Sequence, residues 1–299
     1  MNKYQKEYLL ANIQDEEEAL KALKKTYRKA LNDINHKIKK LMKNKELPSK
    51  IYQASYQYAL KKQIEKALES LEEYDTIVEY LEQCYDAGYI GTMYDIAKQG
   101  IPLIIPIDQE QVVNALFKET KLSDGLYERL GYNKKELAKK LNEEISRGIA
   151  NSMSFSDVSI NINKRFGIGI NKSYLIARTE GHRVMTTASY HAQQVAKDKG
   201  CDIVKQWDSA LDSRTRDSHR LVDGEIRELD EPFSNGLLYP SDPRGVASEV
   251  INCRCALLQR ATWALDEDEL QTLKDRASYF GIDKSNNFRD FEKKYLKIK

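Results

Sequence analysis

The first part of the chain alternates apolar and polar residues with the period of an α-helix. Apolar residues recur every three or four positions in two runs, and the segment 44–49 between the runs contains Pro48. This spacing places the apolar side chains on one side of a helix, and proline interrupts a helix because it has no backbone N–H. The apolar positions are Leu20, Leu23, Tyr27, Leu31, Ile34, Ile38 and Leu41 in the first run and Leu60, Ile64, Leu68, Leu71, Tyr74, Val78 and Leu81 in the second.

The two runs predict a long antiparallel helical hairpin over residues 1–85. Each helix would contain about 40 residues and be roughly 60 Å long at 1.5 Å per residue. Neither helix buries its apolar stripe alone, so we expect the two to pack on each other or on a third surface. A hairpin of this kind has no concave pocket, which favours contact with a partner over catalysis.

Residues 86–170 are predicted to form a helical middle region. Asn133, followed three positions later by Glu136, has the pattern of a capping box, which predicts a helix that begins at Asn133. A further helix is expected to start near Ser154 or Ser156. Gly167 is the expected end of that helix, because glycine is common directly after a helix.

The hydrophobic period changes after Gly200. Up to that residue small and apolar residues share one helical face, whereas Ile203, Lys205 and Trp207 alternate with residues of the opposite side. An alternation with period two is typical of a β-strand. Helices followed by strands predict a small α+β module over residues 171–262.

The rest of this module predicts a short helix, a turn and a second strand. Asp212 or Ser213 is the expected N-cap of the short helix, and Asp223 with Gly224 is the expected turn. The apolar, β-branched segment 249–258 predicts the second strand, and residues 263–299 a helical tail. The expected fold class is therefore mainly α, with a long N-terminal antiparallel helical hairpin, a helical middle region and a small α+β C-terminal module.

Composition indicates a globular chain, since 31% of the residues are charged and 41% are hydrophobic. No apolar run approaches the roughly 18 residues that a membrane helix needs, and the N-terminus has no apolar signal segment. We therefore expect no membrane contact, and we expect the chain to stay in the cytoplasm of the cell that makes it. Thiols are normally reduced there, so the four cysteines do not predict a disulfide framework.

The formal net charge of +2 hides a basic segment between residues 21 and 50. Lysines and arginines outnumber acidic residues strongly in this segment, and the rest of the chain is acidic overall. Such a helix either binds the phosphates of DNA or an acidic protein surface, or is an ordinary solvated face. The candidate DNA-binding residues are Lys24, Lys25, Arg28, Lys37 and Lys40.

Cys253 and Cys255 are separated by one residue, and in a strand their sulfur atoms would lie on one face. Two thiolates on one face are able to hold one soft metal ion. His219, in the same module, is the best-placed third ligand, and Cys201, Asp217 or water remain as the fourth. Mixed thiolate and imidazole ligands favour zinc in a structural role.

Ordinary packing is the alternative for this group. Free cysteines often behave as small buried hydrophobic residues, and His219 is then a helix residue bonded to a backbone carbonyl. A disulfide between Cys253 and Cys255 is disfavoured, because the ring would be strained and the compartment is reducing.

Four strings in fixed order carry a resemblance to a known family. They are ARTEGHR at 177–183, KQWDSALDSRTRDSHRLVDG at 205–224, YPSDP at 239–243 and INCRC at 251–255. Together they resemble the phage Mu F-like head morphogenesis proteins, also called minor head or minor capsid proteins of tailed phages. The resemblance is strong over residues 171–258.

This resemblance implies a minor head component that acts at the portal vertex, with a role in DNA packaging or exit. The implied partners are the portal protein, other procapsid components and phage DNA, first in the host cytoplasm and then in the virion head. It also implies metal binding at His219, Cys253 and Cys255, although the loop before the cysteines lacks a histidine that other members carry. Motif residues for which we expect a structural role are Arg178, Glu180, Trp207, Arg214, Asp217, Asp223 and Gly224.

The alternative is an enzyme of the nuclease or ADP-ribosyltransferase type, because toxin domains accompany this family in some bacteria. The sequence has no carboxylate pair at metal-binding spacing, no glycine-rich phosphate loop, and neither the GxSxG nor the HExxH motif. We therefore expect no catalytic residues and favour an assembly protein.

Overall fold

The computed structural model describes residues 1–42, 50–69, 71, 73–118, 126–150, 155–263 and 267–298. The helices are α1 (Lys3–Met42), α2 (Lys50–Glu69), α3 (Glu73–Lys98), α4 (Gln109–Val113), α5 (Leu126–Ala150), α6 (Phe155–Asp198), α7 (Asp217–Leu221), α8 (Ala247–Val250), α9 (Glu267–Tyr279) and α10 (Phe288–Tyr295). The strands are β1 (Cys201–Asp208), β2 (Ile226–Arg227) and β3 (Ala256–Trp263), and a π-helical turn, Asn114–Lys118, follows α4. The predicted fold class, mainly α with a small α+β module, is confirmed.

The first apolar run lies in α1, and its residues Leu23, Tyr27 and Ile34 are buried. The second run is divided between α2 and α3 and does not form one helix of the predicted length. Glu73 begins α3 and is fully buried, and Ser173 donates a hydrogen bond to its carboxylate at 2.9 Å. The predicted helix-breaking residue, Pro48, lies outside the described residues.

Two predicted helix boundaries in the middle region are wrong. Asn133 lies inside α5, and its buried amide donates to Ser173 Oγ at 2.9 Å and to the Gly169 carbonyl at 3.2 Å. It therefore bonds to α6 and does not cap α5. Gly167 lies inside α6, which continues for 44 residues. Ser154 lies outside the described residues, whereas Ser156 falls within the first turn of α6.

The three strands form an antiparallel sheet in the order β2-β1-β3. Burial alternates along β1 as predicted, and Ile203, Lys205 and Trp207 are completely buried. The predicted second strand begins later than expected, at Ala256. Residues 247–250 form α8, and Asn252 adopts a left-handed conformation with φ 56° that interrupts an extended chain. The two cysteines therefore lie just before β3 and not in it.

The short helix α7 also begins later than expected, after Arg216. Neither Asp212 nor Ser213 is its N-cap. The Asp212 carboxylate accepts instead from the backbone of Arg214 at 2.9 Å and from the Arg254 guanidinium at 2.5 and 2.7 Å. These bonds fix the loop before α7.

Contacts divide the chain into two units. Unit 1 is Met1–Glu17, Val78–Ser123 and Arg178–Lys299, and unit 2 is Glu18–Ile77 and Asp124–Ala177. The segments predicted from the sequence (1–85, 86–170, 171–262 and 263–299) are a division along the chain and stay a prediction. None of the described helices is both long and apolar enough to cross a membrane.

Candidate metal centre

Three side chains of unit 1 converge in its interior. His219 belongs to α7, and Cys253 and Cys255 belong to the irregular segment before β3. His219 Nδ1 lies 3.3 Å from Cys255 Sγ and 3.7 Å from Cys253 Sγ. All three side chains are buried, and their potential ligand atoms lie within 4.8 Å of one another. The convergence expected from the sequence is therefore present, although the cysteines are not in a strand.

The end of β1 positions the histidine. Trp207 Nε1 donates to Ser209 Oγ at 3.1 Å, and Ser209 Oγ in turn donates to the His219 carbonyl at 2.7 Å. The Ser209 backbone N–H donates to Asp223 at 2.7 Å. The Trp207 ring packs edge-on against the His219 ring with centroids 5.1 Å apart. Strand β1, helix α7 and the turn after it are thus tied together beside the two thiols.

A carboxylate lies beside the imidazole of His219. His219 Nε2 lies 2.9 Å from Glu249 Oε2 in α8, and Ser218 Oγ donates to the same oxygen at 2.8 Å. The contact between Nε2 and the carboxylate is a close approach and not a hydrogen bond, since Nε2 has no hydrogen-bond partner within the part of the chain that the structure describes. Nδ1 is the ring nitrogen that faces the two sulfur atoms, and a carboxylate behind the imidazole is common at metal sites in proteins.

The pKa values of the two thiols are shifted in opposite directions. A hydrogen bond from Cys253, with further help from His219, lowers the pKa of the Cys255 thiol. The same hydrogen bond, together with burial, raises the pKa of Cys253. A thiol with a lowered pKa loses its proton readily to a metal ion, because the thiolate is the metal-binding form.

The spacing of the donors fits a tetrahedral zinc site. Zinc bonds of about 2.3 Å to sulfur and about 2.1 Å to nitrogen place tetrahedral ligand atoms about 3.6 Å apart. The two nitrogen–sulfur distances of 3.3 and 3.7 Å agree with this value. Zinc binding itself stays a prediction.

Neither of the two residues named from the sequence as a possible fourth ligand joins the group. The Asp217 carboxylate is 96% exposed and lies 3.8 Å from Arg220. Cys201 is at the opposite end of β1 from Trp207, roughly 20 Å away at about 3.3 Å per residue.

Sequence reasoning missed two residues beside the cluster. Glu249 had no signal except its position as a carboxylate in an apolar segment. His182 lies on α6, and its ring interacts with the backbone carbonyl of Cys255. Burial lowers the pKa of this imidazole to about 4, so it is neutral at neutral pH. Its place in the ARTEGHR string was the available signal, since that string accompanies the cysteine string.

The other motif residues that the structure describes are not among the candidate ligands. Arg178 donates to Glu16 at 2.8 Å, and Glu180 accepts from buried Arg183 at 2.8 Å. Gly224 occupies the expected turn with φ 76°, and its N–H donates to the Trp207 carbonyl at 2.9 Å. Arg214 is exposed. A structural role for these residues stays a prediction.

The candidate DNA-binding residues all lie on α1 in unit 2. Lys24, Lys25, Arg28 and Lys40 are exposed, and Lys37 is half-exposed and bonded to Asp33 at 2.6 Å. Four of the five charges are thus open to a polyanion, and DNA contact stays a prediction.

Comparisons with known proteins agree with the sequence motifs. The family model described as phage Mu protein F like protein matches residues 139–258. The minor head protein GP7 of Bacillus phage SPP1 is 28% identical over 256 residues, which cover 81% of this chain and 82% of that protein. The NAD(+)–arginine ADP-ribosyltransferase EFV of Enterococcus faecalis (strain ATCC 700802 / V583) is 26% identical over 274 residues, which cover 87% of this chain. The chain spans only 55% of that second relative. No solved structure matches the chain with significance.

Proposed function

We propose that this chain, which belongs to the phage Mu F-like family, is a minor head protein that acts in head morphogenesis at the portal vertex. The observation that carries the proposal is its similarity to a phage minor head protein along most of both chains. The long helices α1 and α6, of 40 and 44 residues, suit extended contact with partner proteins. The proposed location is the host cytoplasm during assembly and then the virion head.

Co-purification with the portal protein of the same phage tests this proposal. The chain is expressed with and without the tagged portal protein, and its retention on the affinity resin is compared. Procapsids are isolated separately by sedimentation, and their content of the chain is measured. We expect the chain to be retained by the portal protein and to be present in procapsids in few copies. Its absence from both preparations would contradict the proposal.

We also propose that zinc binds at His219, Cys253 and Cys255 in a structural role. A bound zinc ion would join α7 to the segment before β3, since these elements contribute the three ligands. The free energy of metal binding then adds to the free energy of unfolding. We expect Cys253→Ser to lower the metal content and the thermal stability of the purified chain, and a chelator to have no further effect on that variant. Cys84→Ser, at a thiol outside the cluster, is the control.

Contact of α1 with phage DNA is a further proposal, supported by its exposed basic residues. Each phosphate contact changes the slope of log K against log salt by about 0.9. Replacing Lys24, Lys25, Arg28, Lys37 and Lys40 by glutamine should therefore weaken binding of duplex DNA and make the slope shallower by up to about 4.5. An unchanged slope of log K against log salt would contradict the proposed DNA contact. The control replaces exposed lysines elsewhere, namely Lys135, Lys139, Lys199, Lys284 and Lys293.

An enzyme is the second candidate, because one relative is named as an ADP-ribosyltransferase. We propose that this chain is not an enzyme. The matched part is 55% of that relative, so the activity in its name can belong to the remainder. His219, Cys253 and Cys255 are also buried, which prevents a substrate from reaching them. Incubation with labelled NAD⁺ and an arginine analogue should give no transfer, and transfer above that of heat-denatured protein would contradict this proposal.

A further inference from the structure

His182 lies beside the three candidate ligands on an element that contributes none of them. It belongs to the part of α6 in unit 1, where its ring interacts with the backbone carbonyl of Cys255. Its Nε2 atom is buried and makes no hydrogen bond within the part of the chain that the structure describes. A buried imidazole nitrogen without a partner costs free energy, so this atom calls for an explanation.

We propose that His182 is the fourth ligand, which closes a tetrahedral zinc site with His219, Cys253 and Cys255. The proposal rests on the structural zinc proposed above and adds a residue and an element to it. The three other ligand atoms already lie within 4.8 Å of one another. His182 lies outside that set, so its ring turns from the Cys255 carbonyl toward the metal when zinc binds.

Charge favours a neutral fourth ligand. Two thiolates balance the charge of Zn²⁺, and an additional thiolate or carboxylate would leave a net negative charge in a buried site. Burying such a charge without a partner is unfavourable. A neutral imidazole completes the coordination without adding charge. Water is also neutral, but structural zinc sites have four protein ligands, and the burial of this cluster matches that closed type.

The remaining cysteines and histidines are engaged or distant. The Cys84 thiol is hydrogen-bonded with Tyr80, and His191 Nδ1 lies 3.1 Å from the Tyr85 hydroxyl. His36 is exposed, unlike the buried residues of the cluster, and Cys201 is at the far end of β1. Glu249 faces the other side of the His219 ring at 2.9 Å from Nε2. His182 is therefore the nitrogen or sulfur donor that remains beside the cluster.

Cobalt titration of the full chain separates a ligand from a neighbouring residue. Co²⁺ in a tetrahedral site with thiolates gives visible d–d bands and a sulfur-to-metal charge-transfer band. His182→Gln keeps an amide that can bond to the Cys255 carbonyl but does not replace an imidazole ligand. His182→Cys supplies a different ligand at the same position. His191→Gln, on the same helix, is the matched control.

We expect one equivalent of Co²⁺ or Zn²⁺ to bind to the wild-type chain and to His191→Gln. Loss of a residue behind a ligand typically weakens metal binding by about 10- to 100-fold. His182→Gln should weaken it by more than this and alter the d–d bands, while the charge-transfer band of two thiolates remains. His182→Cys should restore tight binding with a stronger charge-transfer band.

Three outcomes would overturn the inference, and they are distinguishable. If His182→Gln binds one equivalent with unchanged affinity and d–d bands, His182 is not a ligand and the three-ligand site stands. If His182→Cys binds as weakly as His182→Gln, with a two-thiolate spectrum, the position does not reach the metal. If the wild-type chain binds neither ion, the zinc centre fails with it, whereas the retention of the chain by the portal protein still decides the proposed head function.

Discussion

Lys205 is a charged residue in the interior of unit 1. Its ammonium group donates to the Leu229 carbonyl at 2.7 Å and lies 5.6 and 5.2 Å from the ring centroids of Tyr190 and Phe233. Burial lowers the pKa of this amine to about 8, and Asp230 is the strongest of the acidic groups that oppose the shift. The carbonyl and the two rings thus take the place of water around the charge.

This shift predicts a pH dependence of stability. In the unfolded chain the lysine pKa is about 10.4. Between pH 8 and this value the unfolded chain holds a proton that the folded chain has lost, so the free energy of unfolding rises with pH, by at most about 1.4 kcal/mol per pH unit. Lys205→Met should remove this contribution. Urea denaturation at pH 7, 8 and 9 should therefore show wild type gaining stability relative to the variant.

Exposed Lys199 provides the matched comparison. Lys199→Met should leave the pH dependence as it is in wild type. Parallel stability curves for wild type and Lys205→Met would mean that the buried amine stays protonated throughout this range.

The sequence predicted residue positions where one local pattern decides them. The alternation of buried and exposed positions predicted that Lys205, Ile203 and Trp207 lie on one side of β1. The metal-binding character of histidine and cysteine predicted that His219 and the two cysteines converge. His182 and Glu249 were not predictable in this way, because each lies on a different helix and packs against the cluster only in the folded chain. The left-handed conformation of Asn252 was also missed, although asparagine is one of the residues that most often adopt it.

Within unit 1, α3 and α6 approach closely enough that one glycine has no room for a side chain. A Cβ at Gly88 would lie 2.2 Å from the Met185 carbonyl oxygen, which is backbone and cannot move aside. Around Gly167, in the interior of α6, nothing lies within 4 Å of a built Cβ. These two helical glycines therefore have opposite requirements.

We predict opposite effects of the same substitution at these glycines. Gly88→Ala should lower the free energy of unfolding by about 1–3 kcal/mol, the usual effect of overpacking. Gly167→Ala should raise it by up to about 1 kcal/mol, because alanine is the better helix former. Thermal and chemical denaturation of both variants measures these changes. Destabilisation by Gly167→Ala would indicate that this position needs glycine for a reason other than space.

The sequence predicted the presence of the long helices but not all of their ends. Period and apolar spacing located α1 and the helical character of α6. The predicted stop at Gly167 failed because a glycine inside a helix costs only about 1 kcal/mol, and buried residues on both sides, Ile162 and Phe166 before it and Ser173 after it, hold α6 together. The capping pattern at Asn133 failed because its amide is used by α6.

At the scale of the whole molecule, unit 1 is assembled from three separate stretches of chain. Asp95 of α3 is fully buried and accepts hydrogen bonds from Asn2 at 2.7 Å, Gln5 at 2.9 Å, Gln99 at 2.8 Å and Gln259 at 2.7 Å. Gln259 belongs to β3, so this carboxylate connects the N-terminus and α3 to the sheet. The sequence did not reveal the connection, because it joins polar residues that are far apart in the chain.

Aromatic packing connects α1 and α3 to α10 in the same unit. Tyr8 of α1 packs against Gly91 of α3 so closely that a Cβ there would lie 2.6 Å from the Tyr8 ring. Phe288 of α10 lies 6.0 Å from the Tyr8 ring and 5.7 Å from the Tyr94 ring, measured between centroids. Helices that lie outside the segment 171–262 therefore pack on one another in the same unit as the sheet.

These contacts predict that residues 171–262 do not fold alone. Without residues 1–17 and α3, the fragment loses the carboxylate that binds Gln259 and exposes the side of α6 against which Gly88 packs. A buried amide without a partner and an exposed apolar face both disfavour folding. We expect the fragment, with one equivalent of zinc, to lack near-ultraviolet circular dichroism from Trp207 and to unfold in urea without a cooperative transition.

The full chain under the same conditions should show both the circular dichroism signal and the cooperative transition. Asp95→Leu in the full chain should weaken both, since four amide donors then lose their common acceptor. A cooperative transition in the fragment alone would show instead that the segment boundaries read from the sequence define a folding unit, and that the N-terminal helices pack on an already stable module.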